Sequence, residues 1–290
     1  MDHKKHLRSA LLAFSLLALL LPAAFSFADD RGEGPLVKED PKGVTVDDVI
    51  QRFAAKEKQF KIARENYTYR EEVLVQTLDG DTVDGEYRIV FDVLFNNQGK
   101  RMENVVFAPQ SSLQRIMLSP EDEQDFRTRL PFVLTSDEIP EYNILYVGQQ
   151  REDELNTYVF DIAPKEIQKG KRYFQGRIWV DDHDFQIVKT NGKAVPDIRN
   201  KKNENLFPAF TTYREQIDGQ YWFPTYTYSL DTLHFSNQDV KVKEVIKYTN
   251  YKRFGSKVKI TYEGQEVEKT QNQQPDQQPQ QPQPESAPKK

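Results

Sequence analysis

The stretch GRIWVDDHDFQIVK, residues 176–189, holds four consecutive polar residues between two apolar segments. The flanking residues 172–180 and 185–189 alternate in side-chain character with period two, which is typical of β-strands. Aspartate-rich tetrapeptides between such segments form turns, because their carboxylates accept hydrogen bonds from the local backbone. The stretch therefore predicts a β-hairpin that turns at residues 181–184.

The same four residues are also candidates for a metal site. Zinc needs three or four His, Cys or carboxylate ligands, whereas the chain has no cysteine and, after residue 28, only His183 and His234. The spacing also differs from an EF-hand calcium loop, which has a turn glycine and a distal glutamate. Weak calcium binding by Asp181, Asp182 and Asp184 remains an alternative to a simple turn.

Signatures of catalysis are absent from the sequence. It contains no G-x-S-x-G motif, no glycine-rich phosphate loop and no H-E-x-x-H motif. Neighbouring carboxylates such as Glu71 and Glu72 fall in predicted strands, where alternation sends them to opposite faces. We therefore predict no catalytic residue and no enzyme.

Alternation with period two continues over most of residues 44–263. In residues 85–95 every odd position from Tyr87 onward is large and apolar, whereas Arg88 and Asp92 occupy even positions. No repeat of solenoid period is visible, so a single large, curved antiparallel sheet is the simplest arrangement. We predict about ten strands, drawn from residues 67–77, 85–95, 102–107, 142–147, 156–163, 172–180, 185–189, 210–217, 220–230, 240–248 and 257–262.

Two helices are predicted, one before the strands and one inserted among them. Thr45 can cap a helix whose first turn is acidic, and the apolar residues that follow fall near one stripe that Glu57 interrupts. Ser119, followed by proline and two acids, is a second start signal. The helices are expected at residues 45–65 and 119–130.

The first 28 residues have the pattern of a secretory signal peptide. A positive segment with Lys4, Lys5 and Arg8 precedes an apolar run at residues 10–21, and small residues precede Asp29. The run is shorter than the roughly 20 apolar residues that span a bilayer. We expect cleavage before Asp29, no transmembrane anchor afterwards, and a periplasmic mature protein.

Charge and composition define the expected ends of the folded part. Cleavage would remove three of 40 basic and one of 45 acidic residues, leaving 37 and 44, a net charge of −7. No basic patch suggests a nucleic acid partner. Residues 264–290 are rich in glutamine and proline, which predicts a disordered tail. Residues 29–43 resemble a flexible leader, so a single domain is expected at residues 44–263.

Large apolar and aromatic residues are the remaining candidates for a site. One interpretation is that they form the core beneath the first helix. The other is that a curved sheet larger than its helical cover encloses an apolar groove for a lipid-like ligand. The candidate lining residues are Phe91, Val93, Phe95, Trp222, Tyr226 and Tyr228.

The opening stretch and the segment EQIDGQYWFPTYTYSL, residues 215–230, resemble the Lol-type periplasmic lipoprotein carriers, often described as outer-membrane lipoprotein-sorting proteins. In that family a strand ending in tryptophan, an apolar residue and aspartate turns into a strand of the form Phe-x-x-Val-Lys/Arg. A later strand of the family carries tryptophan followed closely by proline. The matching residues here are Trp179, Asp181, Phe185, Val188 and Lys189, then Trp222 and Pro224.

The clear match covers residues 172–230, with looser agreement of strand order and leading helix over residues 45–262. The resemblance implies an unclosed antiparallel barrel whose concave side is covered by helices. It also implies an apolar cavity for acyl chains, no cofactor and no catalysis.

These features predict a mainly β protein of the periplasm that binds acyl chains of a lipid or lipoprotein as a monomer without a cofactor. An envelope sensor or scaffold of the same fold, which binds an envelope protein through its edge strand or its tail, is an alternative. An exported hydrolase is a third alternative and would need a cluster of polar groups deep in the cavity. Alternation with period two distinguishes the two faces of a strand but does not show which of them is the inner face. The sequence therefore does not decide which face of each strand lines the cavity.

Overall fold

The computed structural model describes residues 33–96, 98–128, 132–199 and 204–254, together with the backbone of residues 258–260 and 266–268. The predicted signal peptide lies outside the described residues. So does the predicted tail, apart from its residues 266–268.

Two α-helices and fourteen strands occur within these ranges, together with two short 3-10 helices, Arg64–Asn66 and Ile139–Glu141. The helices are α1 Val46–Ala63 and α2 Pro120–Thr128. The strands are β1 Tyr67–Asp79, β2 Thr82–Phe95, β3 Arg101–Phe107, β4 Tyr142–Glu152, β5 Leu155–Pro164, β6 Tyr173–Asp181, β7 Ile187–Val195, β8 Ile198–Arg199, β9 Glu204–Asn205, β10 Phe210–Ile217, β11 Tyr221–His234, β12 Asp239–Arg253, β13 Val258–Ile260 and β14 Glu266–Glu268.

Ten of the strands form one antiparallel sheet in the order β3-β2-β1-β12-β11-β10-β7-β6-β5-β4. The connection from β3 to β4 crosses from one end of this order to the other and contains α2. No pairing between the end strands β3 and β4 occurs within the described ranges. The sheet is therefore an open, curved barrel with two helices, and the predicted fold class is confirmed.

The helix α1 begins at the predicted cap. The backbone nitrogen of Asp48 donates to the Thr45 hydroxyl at 3.1 Å, and the Asp48 carboxylate accepts from the Thr45 backbone at 3.2 Å. This capping box satisfies two backbone donors that the first turn leaves free. Val49 and Phe53 are fully buried in the main core. We call the face of the sheet that joins this core the inner face.

The polar residues of the opening stretch form a turn, as predicted. The backbone nitrogens of His183 and Asp184 donate to the Asp181 carboxylate at 3.2 and 2.8 Å. Phe185 follows in a left-handed conformation, with φ of 59°. Because this conformation cannot continue a strand, β7 begins at Ile187, two residues later than predicted.

Part of the region predicted as a leader runs along β4. Glu33 and Val37 form bridges with Glu152 and Gln149, and this pairing covers the edge that β4 would otherwise expose. Gly148 is required at this contact, because a side chain there would place its Cβ 2.3 Å from the Val37 carbonyl oxygen. The contact anchors the segment that precedes α1.

The family-type residues of β6 and β7 pack on the opposite, outer face of the sheet. Trp179 and Val188 belong to a small buried cluster there, and the Lys189 ammonium lies 4.5 Å from the centre of the Trp179 ring system. Lys189 is buried and also binds Glu152, at 2.8 Å, and Glu33. Burial alone would lower the pKa of Lys189, but hydrogen bonds to these two carboxylates outweigh it and raise that pKa. The motif thus fastens the N-terminal segment to the sheet.

Short strand pairs complete the described backbone. β8 pairs with β9, and β13 pairs with β14, whose residues fall at the start of the predicted tail. Neither α1 nor α2, the helices of the described ranges, is long and apolar enough to cross a membrane.

Candidate functional site: a cavity beneath the second helix

The three predicted lining residues of β2 lie on the inner face. Phe91 and Val93 are buried in the main core, and Phe95 packs against it. Their environment corresponds to the first of the two interpretations, a packed core beneath the first helix.

The three predicted lining residues of β11 lie on the outer face. The pairing of β11 with β12 places Tyr228 opposite Val245, on the side away from the main core. Tyr226 and Tyr228 border a shallow depression there, and Trp222 packs against the outer-face cluster around Trp179. The structure therefore does not bring the six predicted residues together, and none of them lines the cavity described below.

The middle of β11 is polar on its inner face, which explains this difference. Thr227, between the outward-pointing Tyr226 and Tyr228, and Ser229, directly after Tyr228, are buried there. The hydroxyls of Thr227 and Thr212 share a hydrogen bond of 2.8 Å, and the Ser229 hydroxyl donates to the Ala209 carbonyl oxygen at 2.6 Å. Alternation is present in β11, but its small hydroxyl side chains face inward.

A cavity of about 320 Å³ lies between the inner face of the sheet and the cover formed by α2 and neighbouring loops. Its apolar lining consists of Val75, Ile116, Met117, Leu118, Phe126, Leu206, Phe207, Pro208, Leu233, Phe235 and Val242. Its polar lining consists of Arg115, Ser119, Asp122, Glu204, Asn205, Asn237, Gln238 and Glu244. Met117 marks the rim, since it is 90% exposed.

A polar network holds α2 over the cavity. The Asn205 side-chain nitrogen donates to the Ser119 hydroxyl at 2.7 Å and to the Asp122 carboxylate at 2.9 Å. The Arg172 guanidinium binds both the Asn205 side-chain oxygen and the Asp125 carboxylate. The first turn of α2 is thereby tied to β9 and to the start of β6.

Glu244 lies at the floor of the cavity. It occupies the inner face of β12, opposite Val75 of β1 and Ser229 of β11, and is only 2% exposed. Its Oε1 atom is buried and has no hydrogen-bond partner among the described residues. Burial, aided by the negative charges of Asp122 and Asp125, raises the pKa of Glu244 to about 8. The carboxyl group is therefore largely protonated at neutral pH.

Two other buried glutamates on the inner side have an arginine partner. Glu57 of α1 binds Arg214 at 2.9 Å, and Glu71 of β1 binds Arg101 at 2.9 Å. Burial raises the pKa of both carboxyls, while the arginine charges oppose the rise. Glu244 differs from both because the charged groups that act on it are carboxylates.

Polar groups thus occur in the cavity, as the hydrolase alternative requires, and the hydroxyl group of the described lining, that of Ser119, belongs to a helix cap. The Ser119 hydroxyl donates to the Asp122 carboxylate at 2.9 Å and accepts from the Asp122 backbone at 3.2 Å, so it serves as a helix cap. An activated serine would instead contact a free base. Within the described residues, no group of three His, Cys, Asp or Glu side chains could hold a metal ion.

The sequence contains one indication that Glu244 is unusual, which lies within the alternating apolar pattern of β12. In β12 the inner positions are Val240, Val242, Ile246 and Tyr248, and Glu244 interrupts this series. A charged residue on the apolar side of a strand is costly unless it is paired or used. Much of the remaining lining, including Met117 and Phe207, comes from loops, in which no periodicity marks the inner side.

Comparisons with known proteins found similar solved structures but no matching family model and no matching curated protein. One similar structure is a DUF1329 family protein from Desulfovibrio piger, with 16% identity over 74% of this chain and 94% of that chain and a TM-score of 0.36. A LolA superfamily protein from Nitrosomonas europaea has 14% identity over 70% of this chain and 94% of that chain, with a TM-score of 0.31. An outer membrane lipoprotein-sorting protein domain from Vibrio parahaemolyticus has 12% identity over 68% of this chain and 90% of that chain, with a TM-score of 0.31. The last two are described by the names of the lipoprotein-carrier family that residues 172–230 resemble.

Proposed function

We propose that the protein is a periplasmic, non-catalytic binding protein that holds an acyl chain of a lipid or lipoprotein in the cavity beneath α2. The observation that carries this proposal is the cavity itself, about 320 Å³ in volume and lined mostly by apolar side chains. Its volume falls at the lower end of the range for small-molecule sites, roughly 300 to 1,000 Å³. A role in envelope lipid or lipoprotein trafficking would follow from such binding.

The lining favours a flexible apolar chain over a rigid polar ligand. Transfer of each methylene group from water into such a site contributes about 0.8 kcal/mol. Met117 at the rim is an exposed, unbranched side chain that adapts to ligands of different shape. Phe126 of α2 and Leu233 of β11 both contribute apolar side chains to the lining.

Paired substitutions on one strand test the proposal. Val242→Phe adds volume inside the cavity, whereas Val245→Phe adds the same volume on the outer face. With a fluorescent dodecanoyl probe, we expect Val242→Phe to weaken binding at least about tenfold, a loss of about 1.4 kcal/mol. Val245→Phe should bind as the wild type does.

Circular dichroism and urea unfolding of both variants serve as the control for folding, because extra volume in a packed site costs about 1 to 3 kcal/mol. Failure of the wild type to bind any acyl probe, together with no lipid in native mass spectra of the protein isolated from its own envelope, would sink the proposal. Equal binding of the probe by the two variants would show that the acyl chain binds outside this cavity.

The periplasmic location is tested separately. When the gene for the full sequence is expressed, the protein should be recovered from the periplasmic fraction with Asp29 at its N-terminus, as the predicted signal peptide requires. Recovery of the uncleaved chain in the cytoplasm would contradict this part of the proposal.

A second candidate function, binding of an envelope protein, is favoured by the edge strand β3. Val105, Val106 and Phe107 are consecutive and exposed, and within the described residues β3 pairs only with β2. Such an edge is suited to accept a strand from a partner. Val106→Lys should abolish a stoichiometric complex isolated from the envelope and leave acyl binding unchanged. A complex that survives this substitution would argue against the edge as its site.

A further inference from the structure

We propose that the amphiphile held in the cavity carries a protonated amine, which Glu244 binds at the cavity floor. This inference rests on the proposed function and specifies the polar end of its ligand. The observation behind it is a buried carboxyl group that lines an apolar cavity and whose Oε1 atom has no hydrogen-bond partner among the described residues.

A structural role does not account for Glu244. Burial of an acid costs several kcal/mol unless the group is paired and hydrogen-bonded. Glu57 and Glu71 are each paired with an arginine, Arg214 and Arg101, although one carboxylate oxygen of each also has no hydrogen-bond partner among the described residues. The feature that sets Glu244 apart is therefore the missing cation. Glu244 has no such cation among the residues that the structure describes. The fold does not require an acid here, because a valine or threonine would also suit a position of β12 that pairs with Val75.

The charges around the cavity favour a cation over an anion. Asp122 and Asp125 of α2 act on Glu244 as negative charges, and Glu204 also lines the cavity. Asp125 is paired with Arg172 and Glu204 with Arg199, so these two arginines are already bound to carboxylates. Arg115, the basic residue of the described lining, is held elsewhere by Asp84, at 2.8 Å, and by the Leu78 carbonyl oxygen, at 2.6 Å. A fatty acid carboxylate would therefore meet like charges at the floor, whereas an ammonium group would meet opposite ones.

The proton balance of binding follows from this arrangement. In the empty cavity at neutral pH the carboxyl group holds a proton, because burial and the two aspartates disfavour its charge. An ammonium at hydrogen-bond distance would favour the carboxylate form, so the proton leaves to solvent as the ion pair forms. Binding of an amine should release close to one proton, and binding of a neutral alcohol should release none.

Calorimetry with two simple probes tests the inference. Dodecylammonium and dodecanol have the same chain and differ in the polar end. Because a hydrogen bond to a charged group is stronger than a neutral one, the wild type should bind dodecylammonium about ten- to hundredfold more tightly. Glu244→Gln should remove this preference and keep dodecanol affinity within about threefold. Glu72→Gln, on the outer face, is the matched control and should retain the preference for dodecylammonium over dodecanol.

Titrations at pH 7 in two buffers of different ionisation enthalpy give the second readout, the number of protons released. Equal affinities of the wild type for the two probes, or a preference that survives Glu244→Gln, would overturn the inference and leave acyl binding intact. If dodecanol also fails to bind the wild type, the proposed function fails and this inference with it.

Discussion

The two ends of the inner side are built differently, although each buries a glutamate. Under α1 the space is filled, with the Phe53 and Phe160 rings 5.5 Å apart and both side chains fully buried. Under α2 the sheet and its cover leave a cavity of about 320 Å³. The acid at the filled end, Glu57, has a cation partner, and the acid at the hollow end, Glu244, has none among the described residues.

This difference separates a structural acid from a candidate functional one. The ion pair of Glu57 with Arg214 is almost completely buried, and Arg214 also donates to the carbonyl oxygens of Phe132 and Ile187. It therefore connects α1, β7 and β10 and fixes the helix against the sheet. Among the residues that the structure describes, Glu244 makes no comparable connection, and protonation or a ligand would offset its cost to the fold.

The largest effect is expected where the pair at the filled end is broken. Arg214→Met leaves Glu57 buried without its cation, and loss of one partner of a buried pair costs about 3 to 5 kcal/mol. The free energy of unfolding from urea titration should fall by this amount. The double variant with Glu57→Leu and Arg214→Met should recover a large part of the loss, because it removes both charges. Equal destabilisation of the single and double variants would show that the carbonyl contacts of Arg214 matter more than the charge.

The next effect concerns the pH dependence of stability at the hollow end. Glu244 has an ordinary pKa of 4.5 and a pKa of about 8 in the fold. Between these values the folded form holds a proton that the unfolded form has lost, so stability falls as pH rises. The contribution of one proton is about 1.4 kcal/mol per pH unit within that window.

Glu244→Gln should remove this contribution. The variant should gain stability relative to the wild type from pH 5 to pH 8, and the gain should level off above that, as measured by urea unfolding across the range. Other buried acids such as Glu57 titrate in both proteins and cancel in the difference. A difference between the two proteins that does not change with pH would contradict the environment assigned to Glu244.

The contrast between the two ends also explains what the sequence could predict. The cap at Thr45, the strand pattern and the turn at Asp181 are local features, and each was confirmed because neighbouring residues determine it. The same holds for the interruption at Glu57, which was visible in the helical stripe although its partner Arg214 was not.

The cavity depends on long-range pairing that no local pattern encodes. The large tyrosines of β11 lie on the outer face, whereas Thr227 and Ser229 face inward, and only the register with β12 reveals this. For this reason Tyr226 and Tyr228 lie on the face opposite to that of the β2 residues Phe91 and Val93. Loop residues such as Met117 and Phe207 complete the cavity, and no periodicity distinguishes them from other loop residues.

The smallest effect compares the caps of the two helices. Thr45→Ala and Ser119→Ala each remove a hydroxyl that accepts from the first turn of a helix, at 3.1 and 3.2 Å, and each should cost about 1 kcal/mol in the free energy of unfolding. Only Ser119 also accepts a hydrogen bond from Asn205, which ties α2 over the cavity. We therefore expect Ser119→Ala to weaken dodecanoyl binding several-fold, in line with the loss of about 1 kcal/mol, and Thr45→Ala to leave it unchanged. Equal binding of the dodecanoyl probe by the two variants would mean that α2 keeps its position over the cavity without the Ser119 hydroxyl.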